Sequence, residues 1–244
     1  LSVYDVSVSG GDEKTNFYLS GSYTNQEGQI VQSSYERATG RLNVTHRPNK
    51  KLTVAANLSL AYQRTLGTIA NGNFVNGPFS AGFTMRPNVP IYNEDGSFKA
   101  DYPSNHNFGY NIVQGVYEEL RRGTSVQTVS NLQANYQITP WLSWTSYFGL
   151  DFSDNRDENN RPSTIPVFSS FGGQSFYADR RNNNFNTNHN LNFNKKFGDV
   201  HTITGLAGYE YKGFQSEETT ATGRGFANPT LRYLQNAATP FPVG

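Results

Sequence analysis

The stretch Leu52-Thr-Val-Ala-Ala-Asn-Leu-Ser-Leu-Ala-Tyr-Gln63 alternates apolar and polar side chains more regularly than any other part of the chain. Successive side chains of a β-strand point to opposite faces, so this stretch predicts a strand with one apolar face, running from Leu52 to Tyr62. Its polar face carries Thr53, Asn57 and Ser59. Soluble strands average about five or six residues, whereas a tilted strand that crosses hydrocarbon needs about nine to eleven. The length of the stretch favours a membrane strand.

Seven further stretches alternate in the same way, and the links between the stretches alternate between short and long. Packing a soluble core requires no such rhythm, whereas a barrel threaded through a bilayer has short periplasmic turns and long extracellular loops. The sequence therefore predicts an all-β fold, an antiparallel transmembrane β-barrel segment of about eight strands. The predicted strands lie near 2–9, 15–24, 35–46, 52–63, 124–138, 141–153, 182–194 and 201–212, and the predicted long outer loops are 65–122, 154–181 and 213–244.

The composition narrows the classes of function. The chain has 244 residues, of which 16% are charged and 14% aromatic, and a formal net charge of +1. So weak a charge gives no reason to expect a nucleic-acid partner. There is no cysteine, which excludes disulfides and thiolate zinc sites. No phosphate loop, nucleophile elbow or convincing acid pair is present, so we expect neither an enzyme nor a cofactor.

Apolar and polar residues also alternate along the strands of a soluble β-sandwich. The positions of the aromatic residues in this sequence argue against a sandwich. Amphipathic rings prefer the headgroup level, so a membrane barrel carries one aromatic girdle at each interface. Tyr23, Tyr62, Phe152 and Tyr211 fall at the long-loop ends of the predicted strands, and Tyr136, Trp144 and Phe193 fall toward the short turns.

The polar faces supply the first candidate site residues. Asparagine occupies every even position from Asn182 to Asn194, which suits a hydrated lumen or a polar plug, since each buried amide would need partners. The alternative is a low-complexity strand without a role. Arg37 and Arg41 share one polar face, where they could pair with carboxylates of a plug or remain solvated. The residues predicted to face the lumen or a plug are Arg37, Arg41, Asn186, Asn188, Asn190 and Asn192.

The longest predicted loop, 65–122, supplies a second set of candidate site residues. Its aromatic residues lie among Asn, Asp and Gly, and binding pockets combine rings with a few polar groups. They could contact substrate, contact a lid protein, or pack the loop against itself. They are Phe74, Phe79, Tyr92, Tyr102, Phe108 and Tyr110. The acidic group Asp151, Asp154, Asp157 and Glu158 fits no EF-hand spacing and is predicted to be a solvated loop, and the four histidines match no metal motif.

The first sixty residues resemble a known family. Five segments occur in the order of the SusC-like (RagA-type) TonB-dependent transporters of the Bacteroidetes outer membrane. They are Val6-Ser-Val-Ser-Gly-Gly11, Phe17-Tyr18 with Ser22-Tyr23-Thr-Asn-Gln-Glu-Gly28, Ser34-Tyr35-Glu-Arg37, Arg41-Leu-Asn43 and Leu52-Thr-Val-Ala-Ala-Asn-Leu-Ser-Leu60. Beyond Arg64 the resemblance is architectural.

The resemblance implies a larger barrel of about 22 strands, closed by an N-terminal plug that this chain lacks. It implies outer-membrane import of oligosaccharides or peptides, energised through TonB, with a SusD-like surface lipoprotein as lid and outer-membrane lipid around the wall. The chain opens within a strand pattern at Leu1, so we expect a segment of one barrel domain. The alternatives are a complete small barrel and a structural or adhesive β protein, either a soluble sandwich or a surface barrel without transport.

Overall fold

The chain forms one antiparallel sheet in which every strand pairs with its neighbours in chain order. The computed structural model describes residues 1–67, 77–100, 110–198 and 200–243. Nine strands lie within those ranges, joined by backbone pairing from the first strand to the last. They are β1 Ser2–Gly11, β2 Thr15–Glu27, β3 Ser34–Asn49, β4 Leu52–Leu66, β5 Leu120–Thr139, β6 Leu142–Arg161, β7 Gln174–Phe197, β8 His201–Phe226 and β9 Ala237–Val243.

The register keeps apolar residues together on one face of the sheet. Leu58 lies opposite Leu42 on β3, and Tyr136 on β5 lies opposite Trp144 on β6. Nothing in the described ranges covers this face: Leu60 is 46% exposed and Tyr62 45% exposed. The soluble sandwich alternative is therefore wrong, because its apolar face would be buried against a second sheet. The all-β, single-sheet prediction is confirmed.

The strands reach further at the long-loop end than the sequence predicts. Residues 154–161 continue β6, residues 174–181 begin β7, and β8 continues to Phe226. The predicted loops 154–181 and 213–244 are therefore wrong, and the links are 162–173 and 227–236. These extensions are mostly polar, and the aromatic Phe176 and Tyr177 occupy successive positions on opposite faces of β7, so the apolar alternation that identifies a membrane strand ends before the strand does.

Cross-strand ion pairs occupy these extensions. Arg181 on β7 pairs with Asp154 on β6 at 3.3 Å, and Arg156 pairs with Asp179 at 3.4 Å. Arg122 on β5 hydrogen-bonds to Glu158. Directly opposed charges of opposite sign stabilise neighbouring strands by a few tenths of a kcal/mol to about 1 kcal/mol per pair. The acidic group predicted to be a loop thus lies on β6, where two of its members, Asp154 and Glu158, pair with arginines.

The ninth strand was not predicted, because two prolines interrupt its pattern. Pro240 and Pro242 lack backbone N–H groups and cannot donate to a ladder. Both lie in the segment that pairs with residues 220–226 of β8. A strand tolerates proline where the missing donor faces the free edge. Pro240 and Pro242 are two residues apart, so their backbone nitrogens face the same edge of β9, and this edge lacks a donor at both positions.

In two of the short turns, a side-chain oxygen accepts hydrogen bonds from backbone N–H groups and so fixes the turn. Asp12 Oδ1 accepts hydrogen bonds from the N–H groups of Thr15 at 2.6 Å and Lys14 at 2.8 Å, and these bonds lower the pKa of the Asp12 carboxyl. Asn49 Oδ1 accepts from the N–H groups of Lys51 and Leu52 in the same way. Such Asx turns start a hairpin with a defined geometry, so they set the register of the strands that follow.

Three short helices lie in the long links. They are α1 Pro78–Thr84, α2 Ile112–Glu118 and α3 Pro166–Ser169, and a 3₁₀ helix, Leu234–Asn236, precedes β9. Among the described residues, no helix has the length and apolar character needed to cross a membrane.

An added charge should affect the stability of the fold differently on the two faces of the sheet. Leu58 lies beside Leu42, Leu132 and Phe148 in a 220 Å³ groove on the apolar face, whereas neighbouring Asn57 donates to Asn131 Oδ1 on the polar face. Leu58→Arg in the full-length protein should destabilise the folded sheet by about 2–4 kcal/mol, the cost of arginine on the lipid face near mid-bilayer. Urea unfolding in lipid vesicles measures this. Asn57→Arg is the control, and equal losses would contradict the assignment of the faces.

Candidate functional site

The long links between strands fold together at one end of the sheet. Ala81 of α1, Tyr110, Ile112 of α2 and Ile165 beside α3 form a small apolar cluster, with Met85, Val113 and Phe168 packed against it. These residues come from the links before β5 and before β7, so the cluster joins two segments about fifty residues apart in sequence. The folded links form a compact cap, which we call the outer cap, over the end of the sheet.

Asn111 holds the outer cap together through its amide. Its Oδ1 accepts from the N–H groups of Val113 and Gln114 at the start of α2, and its Nδ2 donates to the carbonyl oxygens of Ile91 at 3.0 Å and Lys99 at 3.1 Å. The side chain is buried, so all four bonds are shielded from water. One residue therefore caps a helix and fixes the preceding loop against it.

A buried carboxylate ties the outer cap to the strands. The Glu119 side chain is 2% exposed and pairs with Arg121 on β5 at 2.6 Å and with Arg161 on β6 at 3.8 Å. The Tyr110 hydroxyl donates to its other oxygen. Burial and the Glu119 charge raise the pKa of the Tyr110 phenol far above its usual range, which keeps it a neutral donor. Two arginines share one carboxylate, which leaves positive charge at this point.

Beneath the outer cap, the polar face of the sheet forms a cavity of 740 Å³. Strands β4 to β7 form its wall, and Gly67 and Gly77 of the link before β5 contribute at its edge. Its lining is mostly amide, hydroxyl and guanidinium groups. It includes Gln63, Thr65, Arg121, Ser125, Asn155, Asp157, Asn159, Arg161, Phe176 and Arg180.

Phe176 provides an aromatic ring in this polar cavity, and it was missed in the sequence. The ring is 39% exposed and lies on the polar face of β7, two residues from Ala178 and four from Arg180. It falls within the predicted loop 154–181, where strand periodicity was not considered. The alternation Phe176, Ala178, Arg180, continuing in phase with the even-numbered asparagines, is the signal that would have placed it. Arg161 and Arg180 lie in the same predicted loop, and Arg121, which the structure assigns to β5, lies at the end of the predicted loop 65–122.

Two smaller hollows lie along the polar face toward the short turns. A 440 Å³ hollow surrounds Gly149, with Asp151, Asn186 and Lys212 in its lining. A Cβ at Gly149 would meet Asn186 Oδ1 at 2.3 Å, so a larger residue there would displace this amide from its present position. A 230 Å³ hollow contains Arg37 and Arg41 among hydroxyl-bearing residues that include Ser20, Ser22, Thr24, Thr39 and Ser59.

The structure places the predicted polar residues on the same face. Arg37 and Arg41 are exposed on β3, and within the described ranges no carboxylate pairs with either of them. The asparagines at even positions of β7 point to the face of the sheet away from Phe185 and Leu191, which are odd-numbered residues of the same strand. Asn190 donates to Asn188, and Asn182 Nδ2 donates to Ser153 Oγ at 3.2 Å. The ladder thus satisfies part of its own hydrogen-bonding capacity and leaves the rest facing outward from the sheet.

The predicted loop aromatics do not act as one group. Phe79 on α1 is 72% exposed and meets Phe83 edge to face at 5.5 Å. Tyr92 stacks on Phe98 at 5.2 Å, which matches the packing alternative. Tyr110 is 2% exposed inside the outer cap, so the prediction that it contacts a ligand or lid is wrong, and its role is packing and hydrogen bonding. The predictions for Phe74, Tyr102 and Phe108 lie outside the described residues.

Known proteins resemble the chain in sequence and in fold. No protein-family model matches it. It is 25% identical over 242 residues to TonB-dependent receptor P3 of Formosa agariphila, covering 96% of this chain and 23% of the relative. It is 26% identical over 239 residues to TonB-dependent receptor P39 of that organism, covering 95% and 22%. The chain therefore spans about a quarter of the length of these curated relatives.

Solved structures share the fold. The structure of the RagAB peptide transporter superposes with a TM-score of 0.79 at 23% identity, over 99% of this chain and 28% of that one. The structure of the RagAB peptide importer in the closed-closed state gives 0.75, also at 23% identity. Both proteins, like the curated relatives, are named as transporters or receptors rather than enzymes.

The fold and these similarities define the class of protein. One antiparallel sheet with an uncovered apolar face, a polar face, short turns at one end and folded links at the other is wall of an outer-membrane β-barrel. More particularly, the similarity in sequence to curated TonB-dependent receptors and in fold to the RagAB transporter supports a barrel segment of the SusC-like TonB-dependent receptor type, located in the cell outer membrane. The resemblance found in the first sixty residues is confirmed.

Asn111 gives a test of the outer cap that leaves the barrel intact. Asn111→Ala removes the helix cap and leaves the Ile91 and Lys99 carbonyls without their amide, which should destabilise the cap by about 2–4 kcal/mol. Limited proteolysis of the full receptor tracks the open population and should accelerate about 30-fold or more in this link. Asn93→Ala, at an exposed asparagine of the same link, is the control. Unchanged cleavage in Asn111→Ala would contradict the role given to this residue.

Proposed function

We propose that this chain forms part of the wall and the outer loops of an importer that brings oligosaccharides or peptides across the outer membrane. The 740 Å³ cavity on the polar face is the observation that carries the proposal. It lies at the long-loop end, where a solute from outside first meets the lumen, and it combines an exposed ring with amide and charged groups. Recognition sites for polar solutes use this combination of an apolar platform and a few fixed polar groups.

The residues of the cavity take separate roles in this proposal. Phe176 packs against an apolar surface of the substrate, such as a sugar face or a side chain. Asn159 lies opposite Phe176 on the polar face of β6, and Asp157 and Asn155 follow it along that face. The two amides can donate and accept hydrogen bonds, and the Asp157 carboxylate accepts them. Arg121 and Arg161 share the single carboxylate of Glu119, so they retain attraction for an anionic substrate group such as a carboxylate. We assign no catalytic role to the segment.

A lid lipoprotein of the SusD-like type is the proposed outer partner. Phe79 and Phe83 are both mostly exposed on α1, at the surface of the outer cap. Exposed neighbouring rings on a loop that is otherwise well packed mark an interaction surface. They are the residues through which we expect the lid to contact this segment.

The polar face below the cavity is proposed to meet the plug. Arg37 and Arg41 lie in a hollow lined by hydroxyl groups, so carboxylates of a plug would find positive charge there. Asn186, Asn188, Asn190 and Asn192 extend this wetted wall along β7. Energy for import would reach the receptor through TonB, which acts on parts of the protein outside this segment.

Phe176 provides the sharpest test of the cavity. Phe176→Ala in the full receptor should weaken substrate binding about tenfold, because a ring that packs against a ligand contributes about 1–2 kcal/mol. Phe185→Ala is the matched control: Phe185 lies on the same strand with nearly equal exposure, 38% against 39%, but on the opposite face. Binding is measured by calorimetry with the solute identified below. Equal losses in both variants, or none in Phe176→Ala, would refute the substrate role of the cavity.

A growth experiment identifies the class of substrate. A strain lacking the receptor gene is compared with its parent on a casein digest and on a panel of oligosaccharides as sole carbon source. The proposal expects a growth defect on one of these classes, restored by the intact gene. Growth equal to the parent on every solute in the panel would contradict the proposed class of substrates.

A further inference from the structure

Lys195 occupies an unusual place on the apolar face. It is an odd-numbered residue of β7, in phase with Leu191 and Phe193, and lies opposite Ile203 on β8. The apolar row therefore includes one ammonium group near its short-turn end. The side chain is half-buried.

Two aromatic rings hold this ammonium group. Its Nζ lies 4.8 Å from the centre of the Trp141 ring and 5.0 Å from that of Phe197. Trp141 also meets Phe193 edge to face at 5.3 Å, and its carbonyl oxygen accepts from the Asn194 N–H at 2.8 Å. The backbone bond fixes the β5–β6 turn beside the end of β7. Cation–π attraction to the two rings orients the ammonium.

The depth of Lys195 in the membrane follows from its neighbours. Trp144 and Tyr136 lie opposite each other on the apolar face, and Trp144 is three residues further from the short turn than Trp141. Trp and Tyr collect at the boundary between hydrocarbon and headgroups. Lys195 lies on the far side of this girdle from the hydrocarbon, at the level where phosphate groups of the inner leaflet are found.

The charge of the surrounding turns supports a lipid partner. The short turns 10–14, 47–51, 139–141 and 195–199 contain six Lys and Arg residues against three Asp and Glu residues. At the opposite end of the apolar face the arginines are paired, as in Arg181 with Asp154 and Arg156 with Asp179. In the part of the chain that the structure describes, no carboxylate pairs with Lys195, and the two rings are the contacts of its ammonium.

We propose that Lys195, Trp141, Phe197 and Phe193 form a binding site for an anionic phospholipid of the inner leaflet. The lipid phosphate pairs with the Lys195 ammonium, whose free side faces the membrane. The Trp141 and Phe197 rings keep water from the other side of the ammonium, and Phe193 and Leu191 contact the acyl chain. Basic residues at a membrane surface attract anionic lipid with about 1 kcal/mol each. The site is independent of the substrate cavity at the other end of the sheet.

Native mass spectrometry of the full receptor in detergent tests the site. The probes are phosphatidylglycerol and phosphatidylcholine with identical acyl chains. We expect the intact receptor to prefer phosphatidylglycerol, and Lys195→Gln to weaken its binding about fivefold, the loss corresponding to one basic residue at the surface. Binding of phosphatidylcholine should not change.

Two variants make the result decisive. Lys212→Gln removes the same charge from the polar face, where Lys212 pairs with Glu210 at 2.9 Å, and should leave lipid binding within twofold of the intact receptor. Lys195→Arg keeps the charge and should retain the preference, with folding checked by the heat-dependent mobility of the barrel on gels. Equal binding in Lys195→Gln and Lys212→Gln, a Lys195→Arg variant as weak as Lys195→Gln, or no preference between the lipids would each overturn the proposal.

Discussion

A strand that crosses hydrocarbon must hydrogen-bond every backbone N–H and C=O to a neighbouring strand, because lipid offers no partner. In this sheet the pairing runs from β1 to β8 with register shifts only between His46 and Asn49 and between Gln137 and Thr139, both beside short turns. This continuity decides which side chains face lipid. A slip of one residue would exchange the two faces of a strand and bring Arg37 into the bilayer. The Asx turns at Asp12 and Asn49 therefore contribute to the chemistry of both faces.

Beyond the membrane, water can satisfy the backbone and the sheet is held by other means. Ion pairs across β5 to β8 replace apolar contacts, and the links fold onto the strand ends. Glu119 connects these two regions, since it pairs with arginines on β5 and β6 and accepts from Tyr110 within the outer cap. Removing this buried carboxylate would leave two half-buried arginines without their shared partner and the Tyr110 hydroxyl without its acceptor. The position of the outer cap over the cavity thus depends on one residue at the start of β5.

The sequence predicts the membrane-level part of the fold because that part obeys one rule, the alternation of apolar and polar residues. Leu52 to Tyr62 and the even asparagines of β7 follow it. The extensions beyond Phe152 and Tyr211 do not, since polar residues predominate on both faces and aromatic residues such as Phe176 and Tyr177 lie on each of them, so the pattern there predicts loops. Phe176 was missed with them. Strand β9 was missed because prolines argue against a strand when its edge position is unknown. Tyr110 was taken for a contact residue because burial inside a loop cluster depends on helices α1 to α3, which are too short to leave a periodic signal.

The strands are longer toward the later part of the sheet, with 13 residues in β2, 20 in β5 and 26 in β8. At about 3.3 Å per residue, the far strands stand roughly 40 Å longer along their own direction. Strands β7 and β8 therefore carry their mostly polar, ion-paired ends furthest past the apolar rows, so this part of the wall projects furthest beyond the level of the membrane.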